Sequence, residues 1–431
     1  MNECSSASAL GGRHVVIVGV NYCPEVTGIA PYTTALAEHL ARRGGRVTVL
    51  TGMPHYPAWR VFPGYRGRWR MRARVGGVTV HRFWLYVPRR HTALRRALFE
   101  LSFAAHVLVG ARFAAPDAVI GVIPNLGAGL VAAAFARRAG VPFGLVFQDL
   151  CGPAAAQSGL PGGRLLIGAA RRLEWELARQ AAAVAVVAPG FRRYLEAGGV
   201  AADRIVRVHN FVHLGPPHRP GSVVRAALGL PADAWLCLHA GNMGYKQDLG
   251  NVLACARLAA REAPHLHFAL VGDGSQRRAL EAEAAGLANV SFLPLQPEED
   301  FPDVLAAADV LLVNQRPSVT DMSLPGKLTA YFAAGRPVAA AVAADSETAA
   351  AVRAAGAGPV VAPGDPAALL AALQALAADP ERSARYGRRA QAYARAHLDA
   401  ERALMGLEDF VVRVLAGTAA PTRWPVTVPA P

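Results

Sequence analysis

At 431 residues, with 53% hydrophobic and 18% charged side chains, the chain exceeds a single core, and two globular domains are expected. No run of about 18 uncharged apolar residues occurs, so no spanning helix is expected, and the start MNECSSASALGGRH lacks the basic and apolar regions of a secretory leader. The formal charge of +14 is concentrated: no acidic residue lies between Glu38 and Glu100, whereas fourteen arginines do, a number equal to the whole excess.

Residues 1–13 read as a disordered lead-in. Short β-branched runs then alternate with longer alanine-rich stretches. Strands are expected at His14–Val20, Arg46–Leu50, Val78–Phe83, Ala118–Gly121, Phe143–Phe147, Val184–Val187 and Ile205–Val208, with helices such as Ala30–Arg43, Ala128–Ala139 and Arg164–Ala182 between them. Inside the acid-free interval the arginines are interleaved with Trp59, Phe62, Tyr65, Trp69, Phe83, Trp84 and Tyr86. That mixture suits an anionic membrane surface or a phosphate-bearing acceptor; a solvated basic edge is the plain alternative. Charge alone would also suit nucleic acid, but no nucleic-acid partner is read from it. The segment TALRRALFELSFAAHVLVGARF, 92–113, fits an interfacial helix or a core helix, with core favoured.

The Pro/Gly-rich HLGPPHRPGS marks a linker at Leu214–Ser222, between an N-terminal unit, 14–213, and a second unit, 223–395. The alternation restarts there, with strands at Trp235–Ala240, His267–Val271, Val290–Leu293, Val310–Val313, Val338–Ala341 and Pro359–Val361. Helices are expected to start near Gln247, Gln276, Glu299, Lys327, Ser346 and Pro366, and the proline-rich residues 416–431 read as a disordered tail. Such alternation predicts an α/β chain of two doubly wound, Rossmann-like domains, with a ligand cleft between the carboxyl ends of both sheets. The cysteines Cys4, Cys23, Cys151, Cys237 and Cys255 are odd in number, scattered and without metal-ligand spacing, which suits a reducing cytosol.

The candidate functional residues fall on those carboxyl ends. The first strand runs into NYCPEVTGIAPYT, where Glu25, Thr27 and Gly28 precede a helix and can face a ligand in the cleft; a glycine at such a turn is equally an ordinary turn residue. Asp149 follows Phe143–Phe147, placed to meet a sugar hydroxyl or developing positive charge, or else to cap the next segment. Later strands end in Gly241, Asn242 and Gly244; in Gly272 and Gly274; in Gln296; and in Asp321, Ser323, Leu324 and Pro325. That ordered set of small and polar residues fits a nucleoside diphosphate. Lysine occurs only twice, at Lys246 and Lys327, against 43 arginines, and both fall in these loops. A compact ammonium beside exposed backbone N–H groups is a phosphate-handling arrangement.

NYCPEVTGIAPYT, PHYPAW, LYVPRR, FQD, AGNMGYKQ, VGDG and above all LPGKLTAYFAAGRPV carry a resemblance. From about His14 to the C-terminal helical region the chain resembles family 4 glycosyltransferases of the GT-B fold, and among them the enzymes of colanic-acid and related exopolysaccharide assembly. The resemblance implies retaining transfer of a sugar, with a nucleotide-sugar donor in the second domain and a sugar or lipid-linked acceptor over the basic first domain. It also implies a last helix, around Ala403–Leu415 within 396–415, that returns to the first domain. Asp149, Lys246 and Lys327 become the catalytic candidates, the two lysines neutralising the departing diphosphate. No metal is expected, because the two lysines can neutralise the diphosphate and no paired-aspartate signature follows a strand; no cofactor beyond the nucleotide-sugar co-substrate is expected, and the expected location is cytoplasmic or peripheral at the inner face of the cell membrane. Two departures accompany it. Met322 and Ala330 stand where many members carry a glutamate pair, and Gln148–Asp149 replaces the usual sugar-contacting histidine. Readings left open are a tailoring enzyme acting on a soluble natural product, a nucleotide-sugar epimerase, and a non-catalytic nucleotide-sugar-binding protein.

Overall fold

The computed structural model describes residues 10–88, 92–151, 164–212, 214–319 and 326–417. In the first half, strands β1 (His14–Val18), β2 (Arg46–Gly52), β3 (Arg70–Val75), β4 (Val78–Phe83), β5 (Ala118–Ile123), β6 (Phe143–Phe147), β7 (Ala183–Val186) and β8 (Ile205–Arg207) form one sheet in the order β3-β4-β2-β1-β5-β6-β7-β8. All neighbours are parallel except β3, which pairs antiparallel with β4 at the edge. Strands such as HVVIV and FGLVF are apolar throughout because both faces are covered. Helices α1 (Ala30–Arg42), α2 (Ala93–Gly110), α3 (Leu126–Ala139), α4 (Arg164–Gln180) and α5 (Pro189–Ala197) supply the crossovers.

The second half begins with α6 (Gly221–Ala227). It continues through β9 (Trp235–Ala240), α7 (Leu249–Glu262), β10 (Leu266–Val271), α8 (Arg277–Glu283), β11 (Val290–Leu293), α9 (Phe301–Ala306), β12 (Val310–Asn314), α10 (Lys327–Ala333), β13 (Val338–Ala341), α11 (Glu347–Ala355) and β14 (Val360–Val361). Its six strands are parallel, in the order β11-β10-β9-β12-β13-β14. The expected pair of Rossmann-like sheets is therefore present. Strand order reverses between β1 and β5 in one sheet and between β9 and β12 in the other, and such switch points open crevices at the carboxyl ends.

Three helices close the chain: α12 (Pro366–Ala378), α13 (Pro380–His397) and α14 (Ala400–Ala416). The last returns to the first sheet. A side chain on Gly144 of β6 would stand 2.8 Å from Phe410 and 2.5 Å from Val414, so the glycine lets α14 lie flat on the strand. Glu408 accepts from His39 Nε2 at 2.7 Å and from Arg43 Nε at 3.1 Å on α1. Phe410 is fully buried, so Phe410→Ala is expected to lower unfolding free energy in urea by about 3–5 kcal/mol. Met405→Ala, on the exposed side of the same helix, should change it by no more than about 0.5 kcal/mol.

Several expectations change. The lead-in, 1–13, does not extend to residue 10: Leu10 is fully buried in the first core, and Gly12 N–H donates to Gly44 O at 3.1 Å. Residues 1–9 and 418–431 lie outside the described residues. Strand β3 was not expected, because arginines in RMRARV hide the usual apolar alternation. Segment 92–113 is not a plain core helix. Helix α2 buries Phe99, Phe103, Ala104 and Val107 but leaves Leu94, Leu98, Leu101 and Val109 exposed. The Leu214–Ser222 region is tied down: His218 N–H donates to Asp303 Oδ1 at 2.5 Å, and Arg219 pairs with Asp303 at 2.7 Å and Asp300 at 2.6 Å. Among the described residues no helix is long and apolar enough to cross a membrane.

Candidate functional site

The loops after β9 and β10 interlock. Met243 N–H donates to Asp273 O at 2.8 Å, and Gln276 N–H donates to Met243 O at 2.9 Å. Gly272, at φ +133°, lies so close that a Cβ would stand 2.0 Å from Gly241 O; a Cβ on Gly274 would stand 2.6 Å from Met243 O. These glycines are fixed by loop-on-loop approach as well as by any ligand. Helix α10 closes this corner. Tyr331 accepts from Ala240 N–H at 2.8 Å, and Lys327, one turn earlier on the same face, reaches the next two residues of interest. Its ammonium would be 3.8 Å from a Cβ on Gly241 and donates to His239 Nε2 at 3.5 Å. Burial pushes Lys327 down to about 7, and burial followed by the Lys327 charge pushes His239 well below its ordinary value, so the imidazole is neutral.

Lys246 is held by backbone. Arg316 N–H, just past β12, donates to Lys246 O at 3.0 Å. The Arg316 guanidinium stacks 3.7 Å over the Tyr245 ring and donates to Tyr245 O at 2.9 Å. Asn314 donates to Gln247 O at 3.0 Å and Asp248 O at 2.7 Å. The Lys246 ammonium therefore leaves a fixed loop and faces the first sheet. Burial lowers its pKa, and Asp149 across the cleft partly restores it.

On the facing side, burial raises the Asp149 carboxyl to about 6, against the opposing pull of Lys246 and Arg96. Arg96, from α2, lies over the Phe99 ring at 4.9 Å and donates to Glu100 Oε1 at 2.9 Å. Tyr56, after β2, completes the wall; burial first, then Asp149 and Glu25, push its phenol to about 12, so it stays neutral. Gly28, at φ +69°, packs so near that a Cβ would be 3.0 Å from the Tyr56 ring. Thr27 Oγ1 is buried without a hydrogen-bond partner among the described residues.

The two halves also touch beside the cleft. The Tyr32 hydroxyl of α1 reaches Thr329 and Gly326 at the start of α10. Glu347 of α11 accepts from Gly190 N–H of α5 at 2.7 Å, and Arg193 stands 3.5 Å from the same oxygen.

The structure thus gathers Asp149 with Lys246, and Lys327 with Gly241. Asn242 and Gln296 sit at the loop surfaces, where Gln296 donates to Pro294 O at 2.9 Å; Gly244 packs against Asn242 and Gln247. Glu25 is turned into its own half of the chain. Its Oε1 accepts from the N–H groups of His55 at 2.6 Å and Tyr56 at 2.8 Å, and its Oε2 accepts from Asn21 at 2.8 Å. Buried and tied to three donors, Glu25 shapes the loop that presents Tyr56. Asp321, Ser323, Leu324 and Pro325 lie outside the described residues. Among the described residues no group of three or more His, Cys, Asp and Glu side chains is arranged to hold a metal ion. Sequence reasoning missed Arg96, Tyr56, His239 and Arg316 as site residues. Arg96 was one arginine among fourteen, His239 lies within the apolar strand β9, and Tyr56 and Arg316 sit in loops past β2 and β12 with no local pattern to flag them.

Residues 27–210 match the glycosyl transferase 4-like domain and residues 236–379 match glycosyl transferases group 1. A putative colanic acid biosynthesis glycosyl transferase of Escherichia coli, WcaI, is 34% identical over 334 residues, 74% of this chain and 81% of the relative. Sucrose-phosphate synthase of Thermosynechococcus elongatus superposes with a TM-score of 0.73 at 19% identity, covering 94% of this chain and 99% of that one. Anabaena HepE in complex with UDP-glucose superposes with a TM-score of 0.69 at 17% identity, covering 92% and 99%. With the family matched in both halves and along most of a relative's length, the chain belongs to the GT-B glycosyltransferases built from a 4-like and a group 1 domain.

Proposed function

We propose that this glycosyltransferase moves a sugar, with retention, from a nucleoside-diphosphate sugar to a hydroxyl acceptor in exopolysaccharide or related glycoconjugate assembly. The observation that carries the reading is the Lys327 ammonium, partly buried against Gly241 where two glycine loops interlock. A lysine near neutrality in that corner gains a full charge when a diphosphate arrives. The resemblance to a protein named for colanic acid biosynthesis supports the polymer-assembly setting, and a fold neighbour with UDP-glucose bound supports a nucleotide-sugar donor.

In this reading the diphosphate lies along the loops after β9 and β10 and at the start of α10. As the sugar–oxygen bond breaks, negative charge grows on the departing phosphate, and Lys327 and Lys246 meet it without reorganisation. Asp149, ionised above about pH 6, faces the positive sugar ring or the incoming hydroxyl from the first sheet. Asn242, Gln296, Asp321, Ser323, Leu324 and Pro325 are assigned to the donor, Thr27 and Gly28 to the acceptor side. The acceptor is a sugar or a lipid-linked sugar over the arginine-rich half, at the cytoplasmic face of a membrane.

The two lysines supply the charge that a divalent cation would otherwise supply, so the reaction is assigned as metal-independent. The test is a thermal-shift screen of nucleoside diphosphates and nucleotide sugars in EDTA. A ligand at about 100 times its Kd should stabilise the fold by about 2.7 kcal/mol, and the stabilising nucleotide sugar should then be consumed slowly in transfer to water. Loss of both binding and turnover in EDTA would contradict the metal-free assignment.

A further inference from the structure

We propose that the outward face of α2, with the adjoining edge of β3, docks the protein on an anionic lipid bilayer. The inference concerns a surface outside the cleft and does not rest on the sugar-transfer reading. Leu94, Leu98, Leu101, Ala105 and Val109 recur at intervals of three and four residues, which puts them on one helical face. Leu94 is 66% exposed, Leu98 45%, Leu101 59% and Val109 76%, so this is an uncovered apolar stripe rather than isolated surface leucines.

The C-terminal half of the stripe runs into an aromatic cluster. Trp69, just before β3, is 65% exposed, with its ring 5.2 Å from Trp84 and 5.6 Å from His106 of α2. Arg70 donates to Gly110 O at 2.8 Å and fixes β3 against the helix end. A half-exposed indole beside an apolar strip is the arrangement of a water–lipid interface. Around it stand exposed cations: Arg66, Arg68, Arg70, Arg72 and Arg74 on the β3 side, and Arg112 at the end of α2. From residue 39 to residue 116 the sequence holds a single carboxylate, Glu100. It points inward, where it accepts from Gly127 N–H at 3.0 Å and from Arg96.

Charge decides which occupant fits. In a symmetric pair of chains the patch would meet itself and set arginine against arginine with no carboxylate to answer. An anionic headgroup layer complements the arginines while acyl chains cover the leucines. The same helix turns Arg96 inward toward Asp149 and Lys246, so a docked α2 brings the cleft to the lipid surface.

The experiment is flotation of the full chain with phosphatidylcholine vesicles, with and without phosphatidylglycerol. Wild type is expected to float only with the anionic vesicles at low salt, and to be released at ~1 M salt, where the Debye length is ~3 Å. Leu98→Glu/Leu101→Glu should abolish flotation while leaving the melting temperature and circular dichroism unchanged, because both positions are exposed. Arg68→Ala/Arg72→Ala should weaken binding by about fivefold per arginine at low salt. Trp69→Phe should remove the part of the tryptophan emission that brominated lipid quenches. The proposal is overturned if wild type stays in the dense fraction at low salt, if it floats equally with neutral vesicles, or if the double-glutamate variant floats as wild type does. It is equally overturned if light scattering shows a dimer that this variant turns into monomer while neither protein binds vesicles.

Discussion

Replacing Lys327 by alanine is expected to lower turnover on the order of 10²–10³-fold, with a smaller loss of donor affinity. Lys246→Ala should behave in the same way. The asymmetry follows from when the charge appears: the bound diphosphate already carries charge, but the leaving phosphate gains more as the glycosidic bond breaks. Loss of one charged hydrogen bond in the bound state costs about 1.5–3 kcal/mol, and any deficit in turnover beyond that belongs to the transition state. Lysine-to-arginine changes should restore little. Lys327 sits where its terminal carbon and nitrogen are both 3.8 Å from a Cβ on Gly241, and a planar guanidinium is larger and aims its donors differently. Arg385→Ala, on an exposed stretch of α13, serves as the control and should leave turnover unchanged. Near-normal turnover in either lysine-to-arginine variant would remove the argument from lysine's rarity at that position. Steady-state kinetics with donor titrations in the same buffer separate the two effects.

The second large effect is expected at Asp149. Asp149→Asn should lower turnover on the order of 10²-fold while nucleoside-diphosphate affinity stays nearly unchanged, because the side chain projects from the first sheet rather than from the donor loops. The pH dependence has a definite sign. Burial raises this acid to about 6, so the carboxylate forms only as pH climbs through that value. Turnover of the wild type should therefore fall on the acid side of about pH 6, and the variant should lack that limb. Loss of diphosphate binding with the fold intact would move Asp149 to the donor side and refute the assignment. An unchanged acid limb in the variant would assign it to another group.

What the sequence disclosed follows physical rules that differ between the two kinds of prediction. Strands such as HVVIV, FGLVF and LHFALV are buried on both faces, so their apolar runs announced them, and their spacing announced parallel sheets. β3 stayed hidden because an edge strand facing solvent needs no apolar alternation. The glycines of the loops after β9 and β10 were legible, since only glycine tolerates the approach of Gly272 to Gly241 O. Their meaning was less so, for loop interlocking would demand them even without a ligand. What Glu25 holds was not legible, because a carboxylate in such a loop looks the same whether it faces a substrate or ties down a neighbouring loop; its bonds from His55, Tyr56 and Asn21 emerge only in the fold. Arg96 and Tyr56 were out of reach for a different reason. Each comes to Asp149 from an element distant in sequence, and pairing of that kind leaves no local pattern. Helix α2 shows the intermediate case: its composition suggested burial, and only the fold shows that Leu94, Leu98, Leu101 and Val109 on one side stay exposed.

The most direct test of the central claim is a calorimetric titration of the wild type and Lys327→Ala with UDP, the other nucleoside diphosphates and their sugar conjugates. It should be run in EDTA near pH 7.5 in buffers of differing ionisation enthalpy. With Lys327 at about 7, more than half of the molecules carry a neutral amine at that pH. A diphosphate held at Gly241 restores the ammonium, so binding must take up protons. The account predicts one nucleotide class that binds with proton uptake, and an alanine variant in which both the uptake and most of the affinity are lost. Absence of binding by every nucleotide tested, or binding with the same proton count and affinity in the variant, would contradict it.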